Sequence, residues 1–211
     1  MANVKTYYKS KNGNTQLSEN FKVREFLCND GTDKILIDLE MIYILQKIRE
    51  LSGKAVSINS GYRTPTYNKK VGGATNSYHT YGRAFDIHTA GLSLDNICAI
   101  ANTLGVKGII KYGTFVHIDS RVTKYHYNNV TRKYATYNKY TIPYKGTLLK
   151  SGSKGEEVGI VQFKLNSLGY TCGTVDGIAG SKFTNAVKSF QKARRLTQDG
   201  IVGKATWSKL F

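Results

Sequence analysis

Ser77-Tyr78-His79-Thr80-Tyr81-Gly82-Arg83-Ala84-Phe85-Asp86 and, some thirty residues later, Phe115-Val116-His117-Ile118-Asp119 decide how this chain is read. They bring two imidazoles and a carboxylate, one set short of a filled tetrahedron. A catalytic zinc keeps three protein ligands and leaves the fourth place to water, whereas structural sites close all four. If these side chains meet, they form the open set of a metallohydrolase. Gly82 and Ala84 suit that reading, because small residues let the chain turn tightly between two ligands.

Outward from these segments the pattern alternates between helix and strand. Leu39, Ile42, Leu45, Ile48 and Leu51 recur at three-residue steps, an amphipathic helix with Gly53 as its C-cap. Ala55–Ser60 alternates apolar and polar, a half-buried strand. Ser93 caps a helix carrying Ile97, Ile100 and Leu104 and ended by Gly105. Val106–Lys111 and Thr114–Ser120 are β-rich runs split by Tyr112-Gly113, as in a hairpin. The residues up to about Gln16 read as a loose arm or edge segment.

Bulk properties narrow the class. The chain has 211 residues, 40% of them hydrophobic, enough for one ordinary domain and a small one. No run approaches a membrane span. The first residues lack the apolar core and cleavage site of a secretory signal, so the expectation is a cytosolic start unless something else releases the protein. Cys28, Cys98 and Cys172 are odd in number and scattered, which argues for reduced thiols rather than a disulfide framework. The net charge is +17, of which residues 146–211 carry +6 and the rest +11. Such a field favours polyanions: nucleic acid, anionic lipid or an anionic cell wall.

Residues 121–145 differ, with six cations, no acid and six tyrosines. The segment reads as a basic linker; its tyrosines can pack on a neighbouring domain, or stack on bases or sugar rings. From Gly146 the pattern changes again. Val158, Val161, Leu165 and Leu168 mark one helix and Ala186, Val187, Phe190 and Ala193 a second. Asp176-Gly177-Ile178-Ala179-Gly180 and Asp199-Gly200-Ile201-Val202-Gly203 form an internal repeat of turns, each before a helix. The whole reads as α+β: a mixed small-sheet domain at 1–122, a linker at 123–145 and an all-α three-helix unit at 146–211.

That last unit resembles the peptidoglycan-binding type 1 domain. The likeness runs through Leu148–Val158, Gln162, Leu165, Leu168-Gly169-Tyr170, both Asp-Gly repeats, Phe190-Gln191 and Thr206-Trp207. The first unit is similar to the M15 zinc peptidases, the D-alanyl-D-alanine carboxypeptidase and murein endopeptidase group. Asn20–Phe26, Ser60-Gly61-Tyr62-Arg63-Thr64, Tyr67-Asn68, Val71-Gly72-Gly73 and both opening segments carry that likeness. The resemblance implies one zinc ion on His79, Asp86 and His117. Arg63 would meet the substrate carboxylate or the developing oxyanion, with a structural Arg–Asp pair as the other reading. The two-unit layout looks like a modular bacteriophage endolysin, held in the host cytoplasm before release and then acting on the cell wall.

The remaining expectations concern single residues. On a strand, residues 117 and 119 share a face, so Asp119 is expected as general base, or else as a partner that orients a ligand. The family's usual acid or histidine before the third ligand is absent, because Thr114 and Phe115 stand there. Ser77 and Tyr62 are expected to touch substrate, Tyr78 to wall the cleft, and His88 to be structural. The expected activity is zinc-dependent hydrolysis of an amide in the peptide stem or cross-bridge of peptidoglycan. The alternatives are an inactive wall-binding protein and a D,D-carboxypeptidase trimming terminal D-Ala. Peptidoglycan and anionic wall polymers are the expected partners, with no specific nucleic-acid target, no membrane insertion and a monomeric chain.

Overall fold

The fold comes from a computed structural model, which describes residues 2–211. In chain order, β1 (Val4–Tyr8) leads through the short α1 (Lys9–Asn12) to β2 (Lys34–Asp38) and α2 (Leu39–Ser52). Then come β3 (Val56–Ser60), α3 (Pro65–Lys70), β4 (Ala84–Thr89), α4 (Leu94–Leu104), β5 (Gly108–Lys111), β6 (Val116–Asp119), β7 (Tyr125–Asn128) and β8 (Lys133–Tyr134). The chain ends on α5 (Glu156–Ser167), α6 (Ser181–Ala193) and α7 (Lys204–Leu210). The architecture is α+β with a helical C-terminal unit.

The opening segment is an ordered edge: β1 pairs antiparallel with β2 in a two-stranded sheet. The main sheet has six strands in the order β3-β4-β6-β5-β7-β8, antiparallel throughout except for β5 and β7. Strand side chains alternate between faces, and this sheet divides its faces by chemistry. Phe85, Ile87, Ile109, Val116 and Ile118 are fully buried in the core with Met41, Leu45, Ile48, Ile97 and Ile100 of α2 and α4. Asp86, His117 and Asp119 lie on the opposite face. The α2 helix is held at both ends: Asp38 accepts a hydrogen bond from the Glu40 N–H, and Gly53 closes the last turn.

The stretch expected as a basic linker carries extended structure and packs on its neighbours. Its first part supplies β7 and β8; the rest runs as a strap along both units. The Tyr137 hydroxyl donates to the Tyr127 carbonyl at 3.0 Å, and Asn102 donates to the Tyr137 carbonyl at 2.8 Å. Farther on, the Trp207 indole N–H donates to the Ile142 carbonyl at 2.8 Å. Between the units, Lys47 of α2 is 2% exposed and donates to Glu50 at 2.8 Å and to Glu157 of α5 at 2.7 Å.

In the C-terminal unit the repeat has a shared mechanical basis. Buried Gln162 donates to Asp176 Oδ1 at 2.8 Å and to the Ile178 carbonyl at 3.1 Å, and accepts from the Gly177 N–H at 2.8 Å. Gln191 does the same one repeat later, to Asp199 at 2.7 Å, the Ile201 carbonyl at 3.0 Å and the Gly200 N–H at 2.9 Å. Each glutamine thus closes one Asp-Gly-Ile turn, and the two turns position the starts of α6 and α7.

Candidate metal centre and cleft

Three elements deliver the three side chains. His79 sits in a short 3-10 turn over Tyr78–Tyr81, which ends at Gly82 with φ +66°. A Cβ there would fall 2.4 Å from Leu36, so both the left-handed turn and the close approach require glycine. Asp86 is central in β4, and His117 lies directly opposite it on β6. All three residues are buried.

Their inner atoms converge. His79 Nε2 is 3.1 Å from His117 Nδ1 and 3.2 Å from Asp86 Oδ1, and His117 Nδ1 is 2.9 Å from the same oxygen. The outer ring nitrogens are both committed. His79 Nδ1 donates to the Gly61 carbonyl at 2.7 Å, and His117 Nε2 donates to Asp119 Oδ2 at 3.0 Å. A carbonyl can only accept, so the His79 proton is fixed on Nδ1 and its Nε2 lone pair faces inward. A tetrahedral ion with bonds of about 2.0–2.1 Å holds its ligand atoms about 3.3 Å apart. The observed triangle, made of inward acceptors with their far sides tied, fits a zinc-sized cation.

The electrostatics ask for positive charge at this point. Burial lowers the pKa of His79 despite the adjacent Asp86. Burial also opposes charge on His117, but hydrogen bonds to Asp119 and Asp86 outweigh it and push its pKa up to about 9. Asp86 is buried, which favours its neutral form, yet the two imidazoles hold it well below the usual carboxylate range. Asp119 is likewise held at about 2: burial is overcome by hydrogen bonds from His117 and Arg121.

The cleft around the triangle has a volume of about 580 Å³. Arg63, Ser77, Tyr78, Tyr112, Phe115 and Arg121 line it with the three candidate ligands. Arg63 donates through Nη2 to Asp86 Oδ2 and through Nε to Ser60 Oγ at 2.7 Å. Its Nη1 makes no hydrogen bond among the described residues. The Arg–Asp pair, one of the two readings of Arg63, is thus present, and the residue also lines the cleft. Tyr78 is a cleft wall as expected, with the Arg121 guanidinium 4.9 Å from its ring.

Two expectations change. Asp119 does not face the cleft. It is fully buried, with one oxygen on His117 Nε2 and both oxygens on Arg121, at 2.8 and 2.6 Å. Residues 117 and 119 share a face as expected, but the imidazole lies between Asp119 and the inner triangle, so the carboxylate stands behind His117 and not at the cleft. Gly108 makes room for it, since a Cβ at that position would lie 2.1 Å from Asp119 Oδ1. Tyr62, expected to touch substrate, is 6% exposed, packs in the core and does not line the cleft.

Three cleft residues escaped sequence reading. Arg121 was counted only as a linker cation, although its position two residues after Asp119 permits the bidentate pair. Tyr112 and Phe115 had been placed in or beside a hairpin turn. Their rings stack at 4.5 Å with 16° between planes, forming an aromatic wall. Burial, and then the Asp86 carboxylate, push the Tyr112 phenol up, so it stays a donor at neutral pH.

Comparison with known proteins accords with this geometry. Residues 19–119 match the family model described as Peptidase M15, and residues 154–210 match a model of a peptidoglycan binding domain. The peptidoglycan L,D-endopeptidase MepK of Escherichia coli K12 is 35% identical over 109 residues, covering 47% of this chain and 60% of that enzyme. The zinc D-Ala-D-Ala carboxypeptidase of Streptomyces albus G is 41% identical over 64 residues, 30% of this chain and 24% of that enzyme. Among solved structures, a Burkholderia AP3 phage endolysin aligns with 38% identity over 30% of this chain and 24% of its own, at a TM-score of 0.29. The chain thus spans less than two thirds of the length of these relatives. Among the described residues, no helix is long and apolar enough to cross a membrane.

Proposed function

We propose, from the matches of residues 19–119 to the Peptidase M15 model and of residues 154–210 to a peptidoglycan binding domain, that the chain is a zinc-dependent endopeptidase of bacterial peptidoglycan, of the kind phages use to lyse their hosts. The observation that carries this reading is the inward triangle of His79 Nε2, His117 Nδ1 and Asp86 Oδ1 with both outer imidazole nitrogens already bound. A zinc ion held by these three residues supplies Lewis-acid chemistry, the polarisation of a carbonyl and the acidification of water.

The chain's own residues supply the rest. Asp119, itself clamped by Arg121, keeps the proton on His117 Nε2 and so keeps Nδ1 available as a ligand. Arg63 fixes the second oxygen of Asp86 and turns its remaining donors toward the cleft, where a substrate carbonyl or carboxylate accepts them. Tyr112 offers its phenolic O–H to the reacting amide, either to the oxygen that gains charge or to the departing nitrogen. Its stack with Phe115 shields one side of the cleft from solvent, which strengthens these hydrogen bonds. Ser77 lines the same cleft and offers a hydroxyl to the substrate backbone.

Cleavage inside the peptide suits the second unit, because a wall-targeting domain serves a cross-linked substrate better than removal of a terminal residue. The relative named a peptidoglycan L,D-endopeptidase supports the same choice. The basic surface favours retention on anionic wall polymers. In this reading the protein waits in the host cytoplasm, acts as a monomer and reaches the wall on release. Mass spectrometry of fragments released from purified walls tests it. The expected products are soluble muropeptides with new amino termini at one peptide bond. Release of free D-alanine alone, or of no fragment at all, would count against an endopeptidase.

A further inference from the structure

The tyrosine-rich stretch after Asp119 has no part in the reaction above, and sheet register shows where it leads. His117 pairs with Ile110 on β5, Ile110 with Tyr127 on β7, and Tyr127 with Tyr134 on β8. Register partners share a face, so Asp86, His117, Ile110, Tyr127 and Tyr134 form one file across the sheet. A second file runs through Asp119, Gly108 and Tyr125. His126, between the two tyrosines, points the other way: it is 4% exposed, and its Nε2 donates to the Val106 carbonyl. At about 4.8 Å per strand, Tyr134 lies about 14 Å from His117.

The three rings form a cluster. Tyr125 and Tyr127 lie 5.9 Å apart and nearly parallel, while Tyr134 stands edge-on to them at 5.6 and 5.9 Å. Arg121 joins the cluster to the cleft, its guanidinium 4.6 Å from the Tyr125 ring and 4.9 Å from Tyr78. Tyr134 is 78% exposed at the sheet edge. Tyr125 and Tyr127 are half-buried beside it, and a tyrosine offers an apolar face and a polar hydroxyl together. The C–H faces of pyranose rings, bordered by hydroxyls, have the matching chemistry.

We propose that Tyr125, Tyr127 and Tyr134 form a saccharide-binding platform continuous with the catalytic cleft, taking the glycan strand that bears the peptide being cut. Its occupant follows from continuity: platform and cleft share one sheet face, so whatever lies on the rings belongs to the polymer whose peptide enters the cleft. The inference therefore rests on the peptidoglycan reading.

The test uses the full chain with isotope-labelled tyrosine rings, titrated with peptide-free peptidoglycan glycan chains and followed by NMR. The Tyr127 and Tyr134 ring signals should shift and saturate, and Tyr134→Ala should weaken that binding about tenfold. In parallel, the preference in kcat/KM for a glycan-linked peptide over the same peptide freed of sugar should fall by a similar factor in Tyr134→Ala. Ring signals that ignore the glycan, or that respond to single-stranded DNA instead, overturn the platform. So does an equal loss on both substrates. Saturable ring shifts in a protein that cuts neither substrate would keep the platform and sink the peptidase reading, so the two failures look different.

Discussion

The metal triangle and the glutamine-clamped turns are both clusters of buried polar groups, yet they are opposite in kind. Gln162 and Gln191 are 2% and 1% exposed, and each meets its donors and acceptors in its own turn, with Thr206 of the next helix as a further acceptor for Gln191. Nothing is left over, and the network serves folding. At His79, Asp86 and His117 the outer atoms are equally well partnered, but the inner Nε2, Oδ1 and Nδ1 converge as three lone-pair atoms that only a cation, an extra proton on His117 or a metal, can join. Buried acceptors facing acceptors are costly unless a cation joins them. The contrast gives a working rule for this molecule: a closed polar network marks structure, and one left open on its inner side marks a site.

The largest effect that bears on this contrast is at the open cluster. His117→Ala or Asp86→Ala should reduce wall hydrolysis to background and remove metal from the purified protein, while circular dichroism retains the α+β signature. Next is Asp119→Asn. A general base would be lost with the metal retained, whereas a supporting partner of His117 would make metal affinity and activity fall together, each by about 10–100-fold. Metal titration beside kinetics separates the two.

In the closed networks the cost appears as stability. Gln191→Ala strands the buried Gly200 N–H, whereas exposed Asp199 keeps the Ile201 N–H, and should destabilise the C-terminal unit by about 1–3 kcal/mol in urea unfolding. Hydrolysis of a small soluble peptide should change little, because no group of that repeat lines the cleft. If peptide hydrolysis fell as steeply as wall hydrolysis, the separation of the two regions would be wrong.

The smallest effect is expected where the two units meet. Burial, then Glu50, raises the pKa of Glu156 to about 8 from an ordinary 4.5. A raised acid pKa stabilises the fold fully below the ordinary value, and that contribution is lost as pH climbs from about 4.5 to about 8. Glu156→Gln should therefore raise the melting temperature by a few degrees at pH 8.5 and make no difference at pH 4.5. A constant difference across that range would show that Glu156 ionises normally.

Much of this was legible in the sequence because it is local. The spacing of His79, Asp86 and His117, the Asp-Gly repeats and the apolar stripes of α2 and α4 are all patterns within one element or between neighbours. Asp119 shows the limit. Strand parity placed it on the right face, but parity cannot say that the His117 ring turns Nδ1 inward and presents Nε2 to Asp119. The tyrosine stretch shows another limit. β7 joins β5 in parallel across an intervening strand, and no spacing rule reveals such a register. Tyr62 lies just past β3, where alternation no longer predicts the face, and it turned into the core.

Metal stoichiometry decides whether His79, Asp86 and His117 hold the one metal on which hydrolysis depends. The purified protein would be stripped with a chelator, titrated with zinc, and assayed on peptidoglycan at each step beside His79→Ala. Activity should return linearly and break at one zinc per chain, with neither binding nor activity in the variant. Full activity in the stripped protein, or stoichiometric zinc in His79→Ala, would contradict that assignment.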